Sequence, residues 1–163
     1  MLGGKLYFPD KSEQDSCFFL PTITGAFKEY FLNQKGTYFM FLPKGEKPSK
    51  VEGVVMACFL IPRKVIDKVG LLDEGTFIFF EDIEYCRRLK QFGVPIYFVP
   101  AAKFIHYHGG STSKVGQKKA YEYLKKAAEH YHGKFYYSIL NLILRLGQLF
   151  GRVQTPKAKW MES

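Results

Sequence analysis

Three carboxylates stand together in "FIFFEDIEYCRRLKQFG", residues 77–93: Glu81, Asp82 and Glu84 follow four apolar residues without a break. Two readings of them are open. Carboxylates in the first turn of a helix satisfy free N–H groups and oppose the helix dipole, and Glu84 and Arg88 have the i,i+4 spacing of a surface ion pair. Alternatively, the buried run carries the cluster to the rim of a sheet, where the ligands of open α/β sheets bind. A helix N-terminus at such a rim favours an ionised Asp82 able to accept a proton.

The elements that must position the cluster are read from period and punctuation. "GGKLYFPD" (3–10) predicts a short strand and a turn at Pro9-Asp10-Lys11, residues 24–34 a short helix, and the lysine- and proline-rich stretch 42–50 a mobile loop. "GVVMACFLIP" (53–62) is continuously apolar and predicts one strand buried on both faces. Pro62 opens a short helix that Gly70 stops. Phe77–Phe80 is a buried approach to a helix that starts at Glu81 or Asp82, runs to about Phe92 and ends at Gly93. Residues 94–100 form the next strand, and 103–113 leave the sheet in a Gly/Ser/Thr loop. Strand, helix, strand with fully apolar strands predicts an α/β layered fold. The usual opening of a nucleotide-binding α/β domain, a glycine-rich phosphate turn, is not in the sequence, and neither is a D-x-D.

The order of motifs over residues 51–112 resembles the family 2 glycosyltransferases of the rhamnosyltransferase-like kind. The residues that carry the likeness are Ala57-Cys58, Arg63, "GLLDE" (70–74), "FFEDIE" (79–84), Arg88, "GVPIYFVP" (93–100) and "HYHGGS" (106–111). "PDKSEQDS" (9–16) is similar to the family's P-D-G-S-x-Q-x-S, with Lys11 where glycine is usual. The resemblance implies a partial GT-A, Rossmann-like three-layer α/β fold lacking its N-terminal nucleotide-binding half and followed by C-terminal helices. Residues 1–114 would be the acceptor-side half of the catalytic domain and 115–163 a basic, amphipathic extension.

It also implies a reaction: inverting transfer of a sugar from a nucleotide-diphosphate donor to a saccharide acceptor, expected to be lipid-linked, in cell-envelope polysaccharide synthesis. Asp82 would be the base and Glu81 its neighbour at the acceptor. Asp73, Glu74, Ala57 and Arg88 would line the acceptor side, and Gly109, Gly110 and Ser111 would fold over the diphosphate. Mg²⁺ or Mn²⁺ would neutralise the leaving group with His106 as one ligand, His108 being the rival if the register differs. The bland alternatives stay open: His106 as a strand-end histidine with one hydrogen bond, Asp73-Glu74 as turn formers, and 109–112 as an ordinary connection. Because the donor-binding half is missing from the sequence, the chain is expected to be a fragment with little activity alone. The competing expectation is a non-catalytic remnant that binds a membrane or a partner.

Charge points to the second half of that choice. The net charge of +9 is concentrated in residues 111–163, with ten basic and three acidic residues. Residues 117–131 show a helical apolar stripe, and 135–150 form a second helix with a narrow polar stripe at Ser138, Asn141, Arg145 and Gln148, continued by Arg152. Sixteen residues give roughly 24 Å, short of a bilayer core of ~30 Å. Such a helix lies on an anionic membrane surface, aided by Lys118, Lys119, Lys125, Lys126, Lys134, Lys157, Lys159 and Trp160, or packs against the protein or a second copy. The lysines lack the interleaved stacking aromatics of a nucleic-acid platform. Three cysteines without metal spacing, Cys17, Cys58 and Cys86, and no leader pattern fit a reducing, cytoplasmic location at the inner face of the membrane.

Overall fold

The computed structural model describes residues 1–34, 36–38, 40–107 and 109–150, the side chains of 111–113 excepted. His108, Arg152, Lys157, Lys159 and Trp160 therefore lie outside the described residues. The elements follow the chain as β1 (Leu2–Tyr7), β2 (Glu13–Gln14), β3 (Cys17–Phe18), α1 (Ile23–Phe31), β4 (Met40–Phe41), β5 (Ser49–Val51), β6 (Gly53–Val54), a 3-10 turn (Met56–Cys58), β7 (Phe59–Leu60), α2 (Arg63–Val69), α3 (Glu81–Gln91), β8 (Ile96–Ile105), α4 (Gly110–Val115), α5 (Gln117–His132) and α6 (Lys134–Leu149).

The main sheet has the order β2-β1-β8-β5, with β7 also on β1. The central pair β1–β8 is parallel, and every other pairing is antiparallel. A second, small sheet has the order β4-β3-β6. Both C-terminal ends of the parallel pair finish together, Tyr7 opposite Ile105. The register jumps between Gly4 and Lys5, where Pro100, Ala101 and Ala102 bulge out of β8. Pro100 has no N–H to give a ladder, which suits it to a bulge. Gly4 is needed there, because a Cβ would sit 2.7 Å from the Ala102 carbonyl oxygen.

The continuous strand predicted for 53–62 is not formed. Gly53–Val54 pairs with β3 in the small sheet, whereas Phe59–Leu60 pairs with β1 in the main one. The chain has to change sheets between them, and the 3-10 turn is the crossing. β7 runs antiparallel to β1, so this turn lies further along β1, toward its carboxyl end, and touches it. The strand predicted to end at Pro100 continues to Ile105, and the predicted Gly/Ser/Thr loop is a short helix from Gly110.

Pro62, Gly70 (φ 92°) and Gly93 (φ 67°) bound α2 and α3 as their chemistry predicts. The main core joins both sheets to α2 and α3 through Cys17, Val54, Val65, Val69, Tyr85, Cys86, Leu89, Ile96 and Phe98. α6 packs on α1, where Leu140, Ile143 and Leu144 meet Ala26 and Tyr30. The packing alternative therefore accounts for one face of α6. The opposite face leaves Phe135, Leu142, Leu146, Leu149 and Phe150 exposed. Among the described residues no helix is long and apolar enough to cross a membrane.

Candidate active site

The sequence "PDKSEQDS" builds the turn and the strand beside the carboxyl end of β1. Asp10 accepts the Ser12 N–H at 2.9 Å and Lys11 takes the left-handed conformation (φ 66°) that a glycine would adopt freely. The turn returns the chain along β1 as β2. Ser16 is buried; its hydroxyl accepts the Leu6 N–H at 2.9 Å and donates to the Gln14 carbonyl at 2.8 Å. Gln14 then reaches across the strand ends, its Oε1 lying 3.2 Å from Nδ1 of His106. The His106 N–H donates to the Tyr7 carbonyl at 2.8 Å, which sets the imidazole where β1 and β8 end. The motif's Gln was legible in the sequence; its histidine partner, 92 positions away, was not.

The carboxylate cluster stands at the start of α3. Phe79 (φ 68°) and Phe80 (φ 64°) are both left-handed. Such a conformation costs a non-glycine residue ~1–2 kcal/mol, and no glycine announces it in the sequence. It swings the chain so that the Phe80 carbonyl accepts the Glu84 N–H at 2.8 Å and starts the helix. The buried approach predicted for 77–80 is also corrected: Phe77 is 78% exposed, because the turn points it outward against Tyr123, and the other three are half-buried.

Asp82 is half-buried in the first turn of α3. Its Oδ1 accepts the Ile83 N–H at 2.8 Å, and the backbone N–H of Met56, in the 3-10 turn, favours its charge. The Ile83 bond and the helix dipole act in the same direction. Burial, reinforced by the Glu81 charge, outweighs them and pushes the carboxyl up to about 6. The expected stabilisation of the ionised form is thus reversed in sign, since desolvation is the largest effect. At pH 7 about nine-tenths of such a group is still ionised. A base poised just below the working pH is what proton abstraction calls for. Glu81 keeps Oε2 buried with no hydrogen-bond partner among the described residues. Ala57 is exposed and follows Met56 in the 3-10 turn.

Other expected site residues have different surroundings. Arg88 is fully engaged: Nε donates to Glu84 at 2.8 and 2.9 Å, Nη1 to the Val69 carbonyl at 3.1 Å and Nη2 to the Leu71 carbonyl at 2.7 Å. It braces the chain between α2 and α3, and its pair with Glu84, 4% exposed, is buried where a surface pair was predicted. Asp73 accepts Gly75 N–H at 2.8 Å and lies 2.8 Å from His130 Nε2; these bonds hold its carboxyl below the usual range. Glu74 is exposed. Gly109 (φ 81°) leads into the backbone of α4 at Gly110 and Ser111, just past His106.

The Mg²⁺ or Mn²⁺ expected at His106 does not fit the described residues alone. Among them no three His, Cys, Asp or Glu side chains converge. One imidazole, already beside Gln14, is a poor site for a hard cation.

Two comparisons with known proteins bear on this geometry. The sequence model described as "Glycosyltransferase like family 2" matches residues 21–125. The dTDP-rhamnosyl transferase RfbF of Shigella flexneri is 28% identical over 72 residues, 44% of this chain and 24% of that protein. An uncharacterized protein, y4gI, of Sinorhizobium fredii is 28% identical over 113 residues, 68% of this chain and 12% of its own. The matches thus span about a quarter or less of these relatives. No solved structure matches.

Proposed function

Since the chain belongs to glycosyltransferase-like family 2, we propose that it forms the acceptor side of a sugar-transfer site, with Asp82 as the base. The observation that carries this is the Asp82 carboxyl: desolvated, poised near neutrality, held by the Ile83 N–H at the start of α3, and within electrostatic reach of Met56 on the turn that lies toward the carboxyl end of β1. An acceptor hydroxyl beside it gives its proton to the carboxylate as the oxygen attacks the anomeric carbon. The bond from that carbon to the diphosphate breaks, its electron pair leaves with the diphosphate, and the configuration inverts. Glu81, whose buried Oε2 has no partner among the described residues, is suited to an acceptor hydroxyl, and the exposed Ala57 leaves room for one. Asp73, Glu74 and Arg88 shape the acceptor side through the 70–75 segment. Gly109, Gly110 and Ser111, directly beyond His106, face the donor's diphosphate in this reading.

The donor is a nucleotide-diphosphate hexose, a reading supported by the rhamnosyl transferase among the relatives. The 163 residues contain no D-x-D. A divalent ion, common in this family, would find in His106 one candidate ligand among the described residues.

The exposed face of α6 supports attachment at an anionic membrane surface, and with it a lipid-linked acceptor in polysaccharide synthesis. Phe135, Leu142 and Leu149 recur at seven-residue intervals on it, Arg145 is exposed beside them, and Lys118, Lys119, Lys125, Lys126 and Lys134 are exposed on the same two helices. Flotation with phosphatidylglycerol vesicles, lost in Leu142→Ser/Leu149→Ser and absent with phosphatidylcholine alone, is the expected result. A concentration-dependent dimer that does not float would instead assign the face to a second copy.

The base is tested by sugar transfer with Asp82→Asn in protein that includes the donor-binding half. Loss of general-base catalysis predicts a fall in kcat of ~10²–10⁴-fold, and a smaller fall for Glu81→Gln. Turnover of Asp82→Asn within a few-fold of wild type removes Asp82 from the role.

A further inference from the structure

The left-handed pair Phe79-Phe80 persists only if its surroundings over-determine it. For Phe80 those surroundings come from the C-terminal helices. The Phe80 ring lies 5.3 Å from Tyr131 and 6.0 Å from His132, the last two residues before Gly133 joins α5 to α6. Each of those rings is held from behind. The Arg87 guanidinium lies 3.9 Å over Tyr131 and its Nη1 donates to the Tyr131 carbonyl at 2.7 Å. His132 stacks on Tyr136 at 4.9 Å with 7° between the planes. The Tyr136 hydroxyl accepts the N–H of Ile23, the first residue of α1, at 2.8 Å. A line of ring contacts therefore runs from α1 to the residue that precedes Glu81 and Asp82.

We propose that Tyr131 and His132 are positioning residues: they wedge Phe80 in its left-handed state and thereby set the Glu81 and Asp82 carboxyls at the mouth of the site. The proposal rests on Asp82 being the base. It makes the helical extension part of the catalytic structure as well as a face for a partner.

Three features support it. Packing holds the wedge more than hydrogen bonding does, since Arg87 Nε and His132 Nε2 are buried without partners among the described residues. Burial and the Arg87 charge lower the His132 imidazole to about 4, so at neutral pH it is an uncharged ring able to stack. α5 also ties down the chain leading to Phe80 at two further points, Asp73–His130 and Phe77–Tyr123.

The test reads the Asp82 carboxyl directly, by ¹³C NMR titration of this chain, with the resonance assigned by its loss in Asp82→Asn. Wild type should titrate near pH 6. In His132→Ala, Phe80 loosens, water reaches the carboxyl, and its proton affinity falls about tenfold or more. His132→Phe keeps the stack and should restore the wild-type midpoint, which an effect of lost imidazole nitrogen would not allow. Arg87→Lys removes the flat cover of Tyr131 and should move the midpoint in the same direction as His132→Ala. With the donor half present, His132→Ala should lower kcat about 10- to 100-fold and leave KM nearly unchanged. An unmoved midpoint in a cooperatively folded His132→Ala or Arg87→Lys chain overturns the proposal, as does a His132→Phe midpoint as low as that of His132→Ala. These outcomes are independent of the base itself, which stands or falls on the activity of Asp82→Asn.

Discussion

Replacing Asp82 by asparagine should make the protein more stable at the pH where it works. The usual carboxylate value is 3.8, and burial with the Glu81 charge raises it to about 6. A raised folded-state value means that the folded protein binds a proton more tightly than the unfolded chain. The stabilisation from that proton is complete below about pH 4 and is lost as the pH rises through 6. The gap corresponds to ~3 kcal/mol above pH 6, at about 1.4 kcal/mol per pH unit. Asparagine keeps an oxygen for the Ile83 N–H but adds an NH₂ that needs a partner, which trims the gain to ~1–3 kcal/mol. Urea unfolding of wild type and Asp82→Asn at pH 7.5 and near pH 4 reads it. The variant should be the more stable at pH 7.5, with the difference shrinking toward pH 4. A variant no more stable than wild type at pH 7.5, or one whose gain is the same at both pH values, would refute the desolvation of Asp82.

Other expectations follow from the same geometry. Arg88→Met leaves the buried Glu84 carboxylate unpaired and frees the Val69 and Leu71 carbonyls, so it should cost ~3–5 kcal/mol in urea unfolding. Lys11→Gly relieves a left-handed residue at an exposed turn and should raise the melting temperature by a few degrees, equivalent to ~0.5–1 kcal/mol. Cys17 and Cys86 are buried with thiols pushed up to about 12, so an aromatic disulfide reagent at pH 8 should label Cys58 rapidly and the other two only on unfolding.

Much of the frame was legible because it depends on local chemistry. Pro62 and Gly70 bound α2, Gly93 ends α3, and the apolar stripes of α5 and α6 follow the helical period. What escaped depends on partners distant in sequence. Residues 53–62 look like one strand, but their hydrogen bonds are divided between β3 and β1, and an apolar run carries no mark of where that division falls. Phe79 and Phe80 are left-handed with no glycine to signal it, and the rings against Phe80, Tyr131 and His132, lie some fifty residues further along the chain. Arg88 has the motif spacing of a ligand-binding residue, yet carbonyls of the α2–α3 connection take up its donors. The position of Asp82 at a helix start was readable, whereas the sign of its pKa displacement was not, because burial is a property of the packed core.

The account turns on whether Asp82 takes the acceptor's proton. The pH dependence of kcat/KM for sugar transfer, measured on protein that includes the donor-binding half, addresses this most directly. It should fall on the acid side with a midpoint near 6, and that limb should vanish, with most of the rate, in Asp82→Asn. An acid limb that survives unchanged in Asp82→Asn at near wild-type rate would contradict the account.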